Sequence, residues 1–189
     1  MLIEADRSLL LIVDPQERLL PAMPRSERLQ REWLALVAVA RRLAVPVFCS
    51  EHCPDALGAA VPALRAVLGE SEFIRKRTFS CLATAGASAR LVSPVARHIV
   101  ICGVETHVCL LQTALDLLDR GQQVFVVASA VASRPADDRI AALDRMARAG
   151  AHIVTFEMVT FEWLRDADNP AFRDVLAIVK GRGRSASVP

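Results

Sequence analysis

The sequence lacks the signatures by which several function classes are recognised. It contains no GxGxxG, GxxxxGK or GxSxG motif, so dinucleotide binding, P-loop phosphate binding and serine hydrolysis have no support. No stretch reaches the roughly 18 uncharged residues of a membrane span. The amino-terminal MLIEADRSLLLIVD carries Glu4 and Asp6 and its apolar run stops at Asp14, unlike a secretory leader. A charge excess is also missing. The net charge of +2 gives no case for a nucleic-acid surface. Aromatic residues are 5% of the chain while hydrophobic residues are 53%, more apolar surface than one domain needs, which points to a homo-oligomer. Five cysteines, Cys49, Cys53, Cys81, Cys102 and Cys109, are odd in number and scattered. They read as reduced thiols in the cytoplasm and not as a disulfide framework. No repeat or linker interrupts the 189 residues, so one domain is expected over 1–180. The last nine residues, GRGRSASVP, have nothing to bury and are expected to be a disordered tail.

What is present is an alternation of short apolar runs with helical patterns. SLLLIV (8–13), VPVFC (45–49), a run beginning at 72–74, the stretch from Ile99, QVFVVA (123–128) and AHIVTF (151–156) read as six strands. Ser26 is a candidate cap for a helix through Leu43, and Ser50 to Asp55 reads as a turn. A helix is expected over Arg139–Ala149, and Pro170 opens a closing helix to about Lys180. The alternation implies βαβ units and a three-layer α/β/α fold with a six-stranded, mostly parallel sheet. Ligands of such sheets bind beyond the carboxyl ends of the strands, near the reversal of strand order.

Three reactive residues fall at such ends. Asp14 closes the first strand, and a carboxylate there needs partners. Lys76 follows the third, although Arg75-Lys76-Arg77 by itself reads as a solvated face. The stretch IVICGVETHVC (99–109) passes from strand to helix. With Thr106 as N-cap, Cys109 would stand at the third helical position, where the helix dipole favours its thiolate. An adjacent Lys76 would add to that and the Asp14 carboxylate would oppose it, so an activated thiol is expected if Lys76 outweighs Asp14. His107 is two positions from Cys109, so the two face apart on a helix. His98 and His152 sit at strand starts, the wrong edge of the sheet. His52 lies at the productive edge. Cys49, His52 and Cys53 have no second pair at zinc spacing, so no metal is expected. Candidate substrate contacts are Gln16, His52, Phe79 and Thr106.

On these residues the sequence resembles the isochorismatase-like cysteine hydrolases, a superfamily that includes nicotinamidases and N-carbamoylsarcosine amidase. The resemblance spans LLLIVDPQERLLPAM (9–23), SEHCPDALG (50–58), KRTFSC (76–81), CGVETHVCLLQTALDLLDRGQQV (102–124) and ASAVASRPADDRIAALDRMARAGA (128–151). Within it, GVETHVC and Ala132-Ser133-Arg134 are similar to segments of the isochorismatase domain-containing proteins. The resemblance implies a triad of Cys109 as nucleophile, Asp14 as general base and Lys76. It also implies a cis Val104–Glu105 peptide, with the N–H groups of Glu105 and Cys109 forming an oxyanion hole. Nicotinamidases carry an Asp-x-His metal site where this chain has Ser50-Glu51-His52, so neither metal nor cofactor is expected. True isochorismatases have glycine at the nucleophile position, and Cys109 therefore implies acyl transfer to water. The expected partner is a small-molecule substrate with an amide or ester bond. The alternative is a non-catalytic member of the same fold that binds a metabolite or a protein.

Overall fold

The computed structural model describes residues 1–92 and 95–182. Six strands, β1 (Ser8–Val13), β2 (Val47–His52), β3 (Phe73–Lys76), β4 (His98–Val104), β5 (Gln123–Ala132) and β6 (His152–Val154), form one parallel sheet. Their order is β3-β2-β1-β4-β5-β6. The helices are α1 (Ser26–Arg42), α2 (Pro54–Leu57), α3 (Pro62–Arg65), α4 (Ala87–Leu91), α5 (Leu111–Asp119), α6 (Ala136–Arg148), α7 (Phe156–Leu164) and α8 (Phe172–Arg182). α1, α7 and α8 pack together on one side of the sheet, α5 and α6 on the other. Every residue of β1 and β4 is buried, which is why both, after Ser8 and His98, read as apolar runs.

The chain lays β2 and β3 outward from β1 and then returns to place β4 on its other side. Strand order therefore reverses between β1 and β4, and a crevice opens beyond their carboxyl ends. Gly103 makes the approach close. It pairs with Val13 at φ 120, and a Cβ there would collide with the Val13 backbone. A glycine is required on both counts. The end of β1 and the segment after β4 are thus held side by side.

Several expected boundaries move. β2 continues through Ser50, Glu51 and His52, polar residues that read as a turn but are strand residues. Ser26 is the first residue of α1 and no side chain caps that helix. α6 starts at Ala136, not Arg139, and β6 stops at Val154. Thr155 then caps α7 by accepting the Met158 N–H at 3.2 Å, so Phe156 begins a helix that the strand reading had absorbed. α8 runs to Arg182. Gly181 and Arg182, assigned to the tail, are held because Arg182 pairs with buried Glu32 at 3.1 Å and lies 4.3 Å over the Phe156 ring. The rest of the predicted tail, 183–189, lies outside the described residues.

Candidate active site

The first residue after β1 is Asp14, in the left-handed region at φ 48 and fully buried. Its backbone N–H reaches the Ser50 carbonyl at 3.1 Å. Each carboxylate oxygen has a side-chain donor: Ser50 Oγ to Oδ1 at 2.6 Å, and Lys76 Nζ to Oδ2 at 2.7 Å. The two charged side chains are sealed from solvent. Burying a pair at such cost needs good geometry and further hydrogen bonds, and Ser50 and the Thr78 carbonyl, 3.3 Å from Nζ, supply them.

Cys109 comes from the other side of the strand-order reversal. β4 ends at a cis Val104–Glu105 peptide, and Thr106–Leu110 then form one π-helical turn before α5. Such turns are rare and recur at functional sites. The Glu105 carbonyl accepts from the N–H groups of Val108 and Leu110, passing over that of Cys109 between them. The thiol is nearly buried, and both Asp14 and Lys76 bear on its charge. Burial, and then the Asp14 carboxylate, push the thiol well above its ordinary range; Lys76 opposes them and loses. That corrects the expectation of a thiolate set by the helix dipole and the lysine: at neutral pH Cys109 is a protonated thiol beside a carboxylate. Lys76 itself stays charged. Burial lowers its pKa, but Asp14 and Cys109 outweigh it and the net direction is upward.

The other expected residues divide. Gln16 is fully buried and its amide is committed: Nε2 donates to the carbonyls of His52 at 3.0 Å and Gly58 at 2.6 Å, and Oε1 accepts the His52 N–H at 2.7 Å. It ties β2 to the following loop and is corrected from substrate contact to structural clasp. His52 and Phe79 face each other at 5.4 Å between centroids, and half of Phe79 is exposed at the rim. Burial first, and then Lys76, lower the His52 pKa, so its ring is neutral at neutral pH. Thr106 does not cap a helix. It is the first residue of the π turn, buried, with no partner for its hydroxyl among the described residues. The Glu105 carboxylate accepts from the backbone N–H and Nε of Arg134, both at 3.0 Å. Burial would raise its pKa, but these bonds lower it.

His107 turns to Ser133, 2.9 Å away, and Asp138, 3.5 Å away. His98 and His152 flank Phe125 at the amino edge of the sheet. At the position of the Asp-x-His metal site, the Ser50 hydroxyl is committed to Asp14 and Glu51 alternates to the opposite face. His52 alone does not fit a metal centre. Sequence reasoning missed two contributors. One is Ser50, which holds Asp14. The other is Thr113, whose hydroxyl accepts the Cys81 N–H at 3.0 Å and donates to the Cys109 carbonyl at 2.7 Å. Thr113 lies one helical turn after Cys109, and that i+4 spacing was the available signal.

Comparison with known proteins bears on family and fold. The model of the isochorismatase domain matches residues 8–158. The chain is 35% identical to isochorismatase domain-containing protein 2A of Mus musculus, over 93% of this chain and 84% of that one. It is 38% identical to isochorismatase domain-containing protein 1 of Salmo salar over 88% of its length, but spans only 59% of that relative. Among solved structures, the MAR1 ribonuclease of Caenorhabditis elegans superposes with a TM-score of 0.90 at 31% identity, covering 100% of this chain and 98% of that one. The YcaC gene product of Escherichia coli, described as an octameric hydrolase of unknown specificity, superposes with a TM-score of 0.85 at 24% identity over 96% and 97%. Fold and family support a hydrolase-type function. The chain belongs to the isochorismatase domain family.

Proposed function

We propose that the protein is a cysteine hydrolase that cleaves a small amide or ester through a thioester on Cys109. The observation that carries this reading is the sealed Asp14–Lys76 pair meeting a protonated thiol. A neutral thiol is a poor nucleophile, and a carboxylate in contact with it is a general base. Asp14 takes the thiol proton as sulfur attacks the substrate carbonyl. Lys76 keeps the carboxylate in place and compensates the negative charge passing between Asp14 and sulfur. The backbone N–H groups of Glu105 and Cys109 receive the oxyanion of the tetrahedral intermediate. Asp14 returns the proton to the leaving amine or alcohol, and the C–N or C–O bond breaks. Water, deprotonated by Asp14, then attacks the thioester and releases the acid and the free thiol. His52 and Phe79 form one wall of the substrate pocket.

The test is a panel of small amides and esters, with an RNA oligonucleotide included for the activity named for the C. elegans neighbour. Wild type is expected to turn over at least one small acyl compound and to show its acyl mass on the Cys109 peptide after rapid quenching. Cys109→Ala is expected to lose both. Turnover retained by Cys109→Ala, or of RNA alone, would overturn the reading. A homo-oligomer in the cytoplasm is part of the same proposal. No helix among the described residues is long and apolar enough to cross a membrane, and the E. coli neighbour is an octamer. Light scattering that returns a monomer mass at micromolar concentration would refute the oligomer.

A further inference from the structure

The carboxyl end of the sheet has a second concave surface. In the β2/β3 register, His52 lies level with Lys76 and Glu51 with Arg75. Successive strand residues point to opposite faces, so Lys76 reaches Asp14 on one face while Glu51 and Arg75 share the other. Glu51 and Arg75 border a cavity of about 720 Å³ together with Asp55, Arg65, Lys76 and Arg77.

Glu51 is fully buried, and only one of its oxygens is served. Oε1 accepts the Ala60 N–H at 2.7 Å and Arg65 Nη2 at 3.0 Å. Oε2 has no hydrogen-bond partner among the described residues, and its ion-pair contact, Arg75 Nε, is 3.7 Å away. Arg75 makes its other contact at 3.6 Å with exposed Glu70. Arg77 is exposed and has no hydrogen bond or ion pair among the described residues. The unspent groups are therefore a buried carboxylate oxygen, the Asp55 carboxylate at the rim and the guanidinium of Arg77, with Arg75 held only loosely. A buried acceptor left without a donor is costly, and arginine favours carboxylates through paired N–H donors. A ligand that satisfies both ends carries a cationic donor and a carboxylate a few bonds apart.

We propose that this cavity binds a small zwitterion of the α-amino acid class, with its ammonium on Glu51 Oε2 and Asp55 and its carboxylate on Arg75 and Arg77. The site is separate from Cys109 and does not depend on the reaction assigned to it. Titration calorimetry with glycine, L-leucine, L-glutamate and L-arginine samples the side-chain classes. At least one is expected to bind saturably at millimolar concentration. Its N-acetyl derivative lacks the ammonium and its amide lacks the carboxylate, and each is expected to bind about tenfold or more weakly. Arg77→Gln, which breaks no contact of the fold, is expected to weaken binding by a similar factor while leaving Tm unchanged. Cys109→Ala is expected to bind as wild type does. Absence of binding by all four amino acids, equal binding of the blocked derivatives, or wild-type affinity in Arg77→Gln would overturn the proposal. So would loss of binding in Cys109→Ala, which would place the ligand in the crevice of Asp14.

Discussion

Asp14 and Glu51 are both fully buried carboxylates at the same end of the same sheet, yet they are built differently. Asp14 has a donor on each oxygen, Ser50 on one and Lys76 on the other, and its cation is sealed with it. Glu51 crowds two donors on one oxygen and leaves the other with a 3.7 Å ion-pair contact. Its cations are partly or largely exposed. Burial by itself does not say what a carboxylate is for. A carboxylate whose oxygens are all served and whose charge acts on a nucleophile is set up to move a proton, because its geometry changes little when the proton arrives. A carboxylate with an idle oxygen, in a residue that borders a cavity, has room for a further donor.

The sharpest break of that comparison is Asp14→Asn. It removes the base while keeping size and the chance of a bond to Ser50, so turnover of any substrate found by the panel should fall by about 10²–10⁴-fold. Alkylation of Cys109 by iodoacetamide should move the other way. The Asp14 charge is one of the causes that hold the thiol above its ordinary range, so removing it lowers the pKa and shifts the rise of the alkylation–pH profile to lower pH. Peptide mapping across a pH series reads both arms. If alkylation slows in step with turnover, Asp14 is acting on the thiol by position and not as its base.

Lys76→Met comes next in size. It leaves Asp14 buried without its counter-charge, and breaking such a pair costs about 3–5 kcal/mol. The raised Lys76 pKa carries a pH signature. Its stabilising contribution is fully present below the unfolded lysine value, about 10.4, and fades as pH rises through the higher folded value. Urea midpoints of wild type and Lys76→Met should therefore differ most from neutral pH up to that point and converge in strong alkali. A constant gap at all pH values would mean that the lysine stem, not its charge, supplies the stability.

How much of this was legible in the sequence follows the same division. β1 and β4 were readable because both faces of each are covered, so after Ser8 and His98 their residues form apolar runs. Ser50 to His52 were not, because the strand's last residues are polar, with Ser50 serving Asp14 and Glu51 turned to the opposite face, and break the apolar run. α7 was missed although Phe156, Val159, Thr160, Trp163 and Leu164, its buried residues, have helical spacing; the strand before it ran into the same apolar stretch. Positions at strand ends pointed to Asp14, Lys76 and Cys109, but the resemblance was needed to join them. The protonation state of the thiol was out of reach, since the sequence shows the lysine and the helix but not the depth of burial. Arg182 was lost to the tail because its partner Glu32 is 150 residues away in the chain.

The smallest expected effect lies on the Glu51 side and sharpens the contrast most. Arg75→Ala removes a guanidinium that is 64% exposed and whose two ion-pair contacts, to Glu51 and Glu70, are 3.7 and 3.6 Å long. Exposed, loosely held pairs of this kind are worth about 0–1 kcal/mol. Glu51 keeps the Ala60 N–H and Arg65, so its charge is not abandoned as that of Asp14 is in Lys76→Met. The urea midpoint of Arg75→Ala should fall by a small fraction of the loss in Lys76→Met, and turnover should hold because Arg75 faces away from Asp14. A loss as large as that of Lys76→Met would mean that Arg75 supplies most of the neutralisation of Glu51. The cavity would then be a closed ion-pair network with no vacant oxygen, and the two carboxylates would be alike after all.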